Sequence, residues 1–434
     1  MSRLSSMEDA GMARGKRRDA GTGGVYQRKT DGYWVGSVEL GWENRKRRRK
    51  IVVGKTKADA VEKLKAVRKQ LDATGTISTN IPTLEKWLDT WLDDIAANRN
   101  RPKTITANRS LITEHITPHL GHHKLDKLQP AHILAWHKTL RAKKAARGGG
   151  TLAESTVLRI HAVLSRALDD ARRIYGLPGN PAKLVDRPGK GKAEVDFLDG
   201  EQAAIVLERV IDDPLGSRWA FALLTGQRQG ECLGLRWSHV DLDNGVADIA
   251  WQLQRLGYRH GCTDDNGEPC GRRFAGNCPD RVLDVTKPDF EYTELNGALC
   301  LTRPKAAVHI IPLVPSLVHK LKERKERVTP GVHDLVWTRD GHRPIDLRAD
   351  YDAWITLLDA CGLPRVRLHS ARHTCATTLL SLGVRENLIM QLVGHSTVAA
   401  ARAYQHADVR AARAAAIKLG RALGVEPAEL TTIE

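Results

Sequence analysis

No stretch of this 434-residue chain approaches the ~20 consecutive apolar residues that a membrane-spanning helix needs. Its first residues include basic ones, but no apolar run follows them, so a secretory signal peptide is not expected. Cysteine is sparse and odd in number, seven in all, and nothing suggests secretion; a disulfide framework is therefore not expected. Acidic residues are in deficit. Against 51 Asp and Glu stand 68 Lys and Arg, a formal net charge of +17. That excess implies a polyanionic partner, nucleic acid first, with a merely solvated basic surface as the plainer alternative. Hydrophobic residues make up 41% of the chain, enough to give each of two to four domains a packed core. A cytoplasmic protein with no membrane partner fits these features.

The pattern along the chain predicts several parts. Residues 1–20 are polar, glycine-containing and basic, and read as a disordered basic arm. Residues 21–73 read as a three-stranded sheet backed by one helix. Asp31-Gly32 marks a hairpin between β-prone runs. Thr56 and Asp59 form a capping pair, and Ala60, Leu64, Val67 and Leu71 make the apolar stripe of the helix. The cluster Arg45, Lys46, Arg47, Arg48, Arg49, Lys50 lies on the third strand, where a basic strand face can meet a DNA groove. Residues 82–185 read as all-helical, with starts near Thr83, Thr104, Pro130 and Ser155. Their Trp and Ile stripes are expected to be core packing. Lys143 and Lys144, beside Gly148-Gly149-Gly150, read as part of a flexible basic turn. Residues 195–425 mix helices with a few strands, and Asp199 caps the first helix. Within them, about 255–297 reads as an insertion holding His260, Cys262, Cys270 and Cys278. These are a candidate structural zinc set, with reduced thiols on a surface loop as the alternative.

Four short pieces carry the chemistry: Thr225-Gly-Gln-Arg-Gln-Gly-Glu231, Leu368-His-Ser-Ala-Arg-His373, Gly394-His395, and Tyr404. Two arginines, two histidines and a tyrosine in this order suit attack on a phosphodiester. Tyr404 supplies an oxygen nucleophile, which needs activation because a free phenol titrates near 10. Arg228 and Arg372 each offer a planar fork of donors to the non-bridging phosphate oxygens. His369 and His395 can hold or move protons near neutral pH. Glu231, three residues past Arg228, orients the arginines.

These pieces, over roughly Gly23 to Gly420, closely resemble the tyrosine recombinase family, the lambda-type phage integrases. Its members carry a T-G-x-R-x-x-E box, an H-x-x-R-H box, then G-H, then the tyrosine. The resemblance implies a multidomain chain, mainly α with small β elements. It would consist of an arm-site-binding domain, a helical core-binding domain and a mixed α+β catalytic domain. It implies a site-specific recombinase that cuts and rejoins double-stranded DNA through a 3′-phosphotyrosyl intermediate and a Holliday junction, integrating and possibly excising a mobile element. The bond energy stays in the covalent link, so no ATP is expected; no catalytic metal is expected either. A homotetramer on DNA, with excisionase or DNA-bending accessory proteins, is the implied working unit. Lys305 is the implied general acid, ahead of Val308-His-Ile-Ile-Pro-Leu313, which looks like the family's hairpin ending in I-P-L. Here Ala306 and Ala307 follow the lysine where hydroxyl residues are usual, and Lys287 is the alternative. His373 is expected to brace. Two other readings stay open: a type IB topoisomerase-like relaxing enzyme, against which the arm-like domain argues, and a non-catalytic DNA-binding regulator.

Overall fold

The computed structural model describes residues 24–43, 46–74, 81–145, 150–191, 196–210, 213–262, 270–304, 309–394 and 409–425. The basic arm at 1–20, Arg45, Lys305, His395 and Tyr404 lie outside the described residues, and for Lys46 the backbone alone is described. The chain is multidomain and mainly α, with small sheets. It divides into two compact units, Met1–Ala96 with Ala107–Gly191, and Ala97–Thr106 with Lys192–Glu434. Among the described residues no helix is long and apolar enough to cross a membrane.

The first unit begins with three antiparallel strands in chain order: β1 (Val25–Gln27), β2 (Trp34–Glu43) and β3 (Lys46–Gly54). Asp31-Gly32 forms the turn before β2. Gly32 adopts φ +73°, a left-handed conformation open to glycine. The Asp31 carboxylate accepts the Tyr33 N–H at 3.2 Å. The helix Lys57–Thr74 crosses one face of the sheet. Its start is held as expected: the Thr56 hydroxyl accepts the Asp59 N–H at 3.2 Å, and Asp59 accepts the Lys55 N–H at 3.2 Å. Leu64 packs with Val38 and Val52 beneath it. A Cβ on Gly54 would lie 2.5 Å from the Ala60 nitrogen, so only glycine lets the helix pass this close to the strand end.

The rest of this unit is helical, with Leu84–Thr90, Pro130–Ala142 and Glu154–Tyr175 among its helices. Trp87, Trp91 and Trp136 are buried as core, and each finds an acceptor for its indole N–H: the Ala167 carbonyl at 2.9 Å, the Asp170 carboxylate at 2.8 Å and the His115 carbonyl at 2.8 Å. A buried indole would otherwise lose its hydrogen bond to water. His137 and His161 are also buried, ring nitrogen to ring nitrogen at 3.1 Å. The helix expected from Thr104 starts two residues earlier, at Pro102, because proline suits a first helical turn whose N–H groups have no intrahelical partner.

In the second unit, helices Gly200–Val210, Ser217–Thr225, Pro315–Arg327, Leu347–Ala360, Ala371–Ser381 and Glu386–Val393 surround one apolar core. Phe221, Trp337 and Trp354 are fully buried in it. Asp199 caps the first of these helices, accepting the Gln202 N–H at 2.8 Å. The strands are short: β4 (Val240–Asp241), β5 (Val246–Asp248), β6 (Gln252–Arg255), β7 (Tyr258–Arg259), β8 (Val282–Leu283), β9 (Tyr292–Asn296), β10 (Leu299–Thr302) and β11 (Ile310–Pro312). One expectation is corrected here. Among the described residues, the runs flanking Lys305 are not paired with each other as arms of one hairpin: β10 pairs with β6 and β9, whereas β11 pairs with β5. Val246–Arg255 supplies β6 to the first run and β5 to the second, and β9 takes the other edge of β10, so the backbone groups of these runs are used in other pairs.

Candidate active site

The site grows from the end of the helix Ser217–Thr225. Gly226 closes that helix at φ +67°, and its Cα faces Val393 and Cys375 so closely that a Cβ would stand 3.2 Å and 3.3 Å from them. Gln227 then donates to the Leu392 carbonyl at 3.0 Å and to the Thr225 carbonyl at 3.0 Å. Arg228 caps the next short helix, Gln229–Leu233. Its amide donates to Glu231 Oε2 and its Nη1 donates to Glu231 Oε1, both at 2.8 Å. Glu231 is 1% exposed and Arg228 34% exposed at the side chain, so a buried carboxylate orients a guanidinium whose outer edge faces solvent. Gln229 donates to Asp350 Oδ2 at 2.8 Å, and Asp350 forms a buried ion pair with Arg218 at 2.6 Å. Gln229, Asp350 and Arg218 thus fix the backbone that carries Arg228. Sequence reading missed all three, although Gln229 lies within the motif itself.

Arg372 arrives from the helix Ala371–Ser381. It is buried, with 4% of its surface exposed, and its Nη1 donates to the Gly226 carbonyl at 3.1 Å. Its Nη2 is buried and has no hydrogen-bond partner among the described residues. Burial, and then the charge of Arg228, push its pKa down to about 10, while Glu231 opposes them. A buried guanidinium beside a second one, with no partner for one donor among the described residues, makes a site prepared for an anion. His369 presents an exposed ring one helical turn before Arg372. Desolvation by the groups packed beneath it, followed by the charges of Arg372 and Arg228, lowers its pKa. Both effects favour the neutral imidazole, the form that can accept a proton. The exposed His373 ring stands 6.0 Å from His369, nearly perpendicular to it. The structure thus brings Arg228, Glu231, His369, Arg372 and His373 together.

An open groove runs from this cluster. Lys103, Arg228, Arg348, Arg367 and His369 line it, with Gln252, Gln254 and Tyr351 between them. Sequence reading did not assign Lys103, Arg348 or Arg367, whose isolated charges carry no motif. The backbone leading to the Lys305 segment is fixed beside it. Arg101 donates to the Arg303 and Pro304 carbonyls at 2.8 Å and 2.7 Å, and Gln252 donates to the Arg303 carbonyl at 2.9 Å. Lys287 sits elsewhere, in a depression with Tyr258 and Phe290, and pairs with Asp289 at 2.8 Å.

In the first unit, strand alternation sorts the basic cluster. Arg47 and Arg49 fall on the exposed face with Ile51, Val53 and Trp42, while Arg48 and Lys50 have the opposite parity and are half-buried. Arg47 stacks over Trp42 at 5.4 Å, and both arginines approach Glu39, at 3.7 Å and 3.6 Å. Lys143 is engaged internally: its ammonium donates to the Glu114 carbonyl at 2.8 Å and meets His115 Nδ1 at 3.1 Å. Lys144 remains exposed.

Comparison with known proteins gives a consistent pattern. Residues 83–141 match the model described as phage integrase, N-terminal SAM-like domain, and residues 299–410 match that of the phage integrase family. The second match spans the positions of Lys305, His369, Arg372, His395 and Tyr404. An integrase of Saccharopolyspora erythraea is 29% identical over 409 residues, covering 87% of this chain and 91% of that protein. A tyrosine recombinase XerC-like protein of Caldanaerobacter subterraneus is 23% identical over 399 residues, covering 86% and 92%. Among solved structures, the Tn1549 transposon integrase in complex with transposon right-end DNA superposes with a TM-score of 0.55 at 18% identity, covering 76% of this chain and 98% of that one. At that identity the likeness concerns the fold.

Proposed function

The chain belongs to the phage integrase family of tyrosine recombinases, and from that premise we propose that it cuts and rejoins double-stranded DNA at specific sites through a 3′-phosphotyrosyl intermediate. The observation that carries this reading is the pair Arg228 and Arg372: one guanidinium oriented by buried Glu231, the other buried with no partner for its Nη2 among the described residues. Displacement at phosphorus gathers negative charge on the equatorial oxygens, where two pre-oriented guanidiniums stabilise it without reorganising.

In this mechanism the Tyr404 oxygen attacks the scissile phosphorus and the bond to the 5′-oxygen breaks. The phenolic proton passes to His369, whose depressed pKa keeps it neutral and receptive. Lys305 protonates the departing 5′-oxygen, and His395 donates to a non-bridging oxygen. Rejoining reverses these transfers with a new 5′-hydroxyl. The transesterification conserves the phosphodiester bond energy, so it needs no ATP, and Arg228 and Arg372 supply the positive charge at the phosphate. The basic groove past Arg348 and Arg367 carries the DNA backbone. The open face of β1–β3, with Arg47, Arg49 and Trp42, binds a second, distal site, and residues 82–185 bind beside the crossover site. Four copies act on two such sites in the cytoplasm, to integrate or excise a mobile element.

The test is an assay on two DNA molecules that each carry a cognate site. Joint recombinant products support a recombinase. Relaxation of single supercoiled circles with no joint product would instead make the chain topoisomerase-like, and binding without cleavage would make it a regulator.

A further inference from the structure

The strands β7 and β8 form a two-stranded ribbon, with Tyr258 opposite Leu283 and Arg259 opposite Val282. Its apolar support is slight: Leu256, Leu283 and Cys300 are buried, with Tyr258, Val285 and Phe290 packed against them. A ribbon of this size cannot hold its far end by apolar burial alone. At that end the His260 ring nitrogen and the sulfurs of Cys262, Cys270 and Cys278 all lie within 4.8 Å of one another. Three of the chain's seven cysteines therefore converge with one imidazole, outside the phosphate site.

We propose that His260, Cys262, Cys270 and Cys278 bind one structural Zn²⁺ ion that staples this ribbon. The donor set, three thiolates and one imidazole, is one that closed tetrahedral zinc sites use. With Zn–S bonds of about 2.3 Å, a tetrahedron spaces its sulfurs roughly 3.8 Å apart, so drawing the cluster in by about 1 Å completes it. The surroundings suit thiolate ligands. The Cys270 N–H donates to the Cys262 sulfur at 3.3 Å, and the Gly261 N–H bonds to the Cys278 sulfur. Such amide contacts orient the sulfurs and offset their negative charge. Gly261 is required between two of the ligands: a Cβ there would lie 2.2 Å from the Asp280 carbonyl oxygen. Cys278 is fully buried, although the nearby chain is polar. A short 3₁₀ turn, Ala275–Asn277, delivers it to the cluster. Binding deprotonates the thiols, forms three Zn–S bonds and one Zn–N bond, and changes no oxidation state.

The test uses the full-length chain, purified in reducing buffer without chelator. Elemental analysis is expected to give one zinc per chain. Cys262→Ser and Cys278→Ser should each lose it, whereas Cys361→Ser, at a partly exposed thiol outside the cluster, should keep it. Titrating metal-stripped wild type with Co²⁺ gives a readout that no variant's misfolding can confound: a thiolate-to-cobalt absorption band saturating at one equivalent, reversed by Zn²⁺. Stripping should also speed protease cleavage within residues 256–300. Absence of zinc together with absence of the cobalt band would overturn the proposal. So would zinc retained in Cys278→Ser, stoichiometric iron in place of zinc, or a disulfide between two of the three cysteines in the reduced preparation.

Discussion

Arg372 should weaken the protein in the absence of DNA. Its guanidinium is buried, donates to the Gly226 carbonyl at 3.1 Å and leaves Nη2 without a partner among the described residues. Burial and the neighbouring Arg228 push its pKa well below the usual arginine range, down to about 10. That shift corresponds to about 3 kcal/mol acting against the charged form at neutral pH. Replacing it by methionine removes this penalty and loses one hydrogen bond of about 0.5–1.5 kcal/mol. Arg372→Met should therefore stabilise the DNA-free second unit by roughly 1.5–2.5 kcal/mol while abolishing cleavage. Hydrogen-exchange mass spectrometry on peptides of the helix Ala371–Ser381 measures the local opening free energy directly. Added inorganic sulfate, a stand-in for the scissile phosphate, should slow exchange there in wild type and have little effect in the variant. A loss of more than about 1 kcal/mol in Arg372→Met, with sulfate protecting both proteins alike, would refute the reasoning and make Arg372 a structural residue.

Arg228→Lys should lower the cleavage rate by roughly 10²–10³-fold with DNA affinity nearly kept, because a point charge replaces a fork held by Glu231; single-turnover cleavage measures it. The buried pair His137–His161 should make the helical part of the first unit acid-sensitive. Burial, then the charge of His161, lowers the His137 pKa to about 4, so the unfolded chain binds more protons below its ordinary value near 6.5. Stability is then fully present above pH 6.5 and falls as pH drops toward 4, and His137→Gln should flatten that slope in urea unfolding monitored between those values. Removing residues 1–80 should leave core-site cleavage intact and abolish distal-site binding. The lost binding should show a salt slope of about −0.9 per neutralised phosphate in the full-length chain, checked by titration at several salt concentrations.

The sequence disclosed what local rules govern. Asp31-Gly32, the Thr56–Asp59 cap and the apolar stripe through Leu64 announce the N-terminal sheet and helix, and each behaves as its spacing requires. The arginine and histidine motifs were legible for the same reason: within each, the partners are at most four residues apart, as Arg228 and Glu231 show. What escaped notice depends on distant segments. Arg101 reaches the Arg303 carbonyl across 202 positions, and Gln229 reaches Asp350 across 121. No periodicity encodes such pairs. The paired arms expected around Lys305 are not found among the described residues, because β10 pairs with β6 and β9 and β11 pairs with β5. The Cys and His positions were visible, but a separation of two residues is shorter and one of eight is longer than compact zinc motifs use, so only the fold brings the four donor atoms together.

The most direct test of the central claim is to locate the protein–DNA bond. The full-length chain is incubated with DNA carrying its site and a nick that lets the 5′-hydroxyl fragment diffuse away. Trypsin and nuclease digestion followed by mass spectrometry then identify the modified peptide. The account predicts a 3′-phosphonucleotide on Tyr404, absent from Tyr404→Phe, which still binds the same DNA. An adduct on any other residue, or one formed at full yield by Tyr404→Phe, would contradict it.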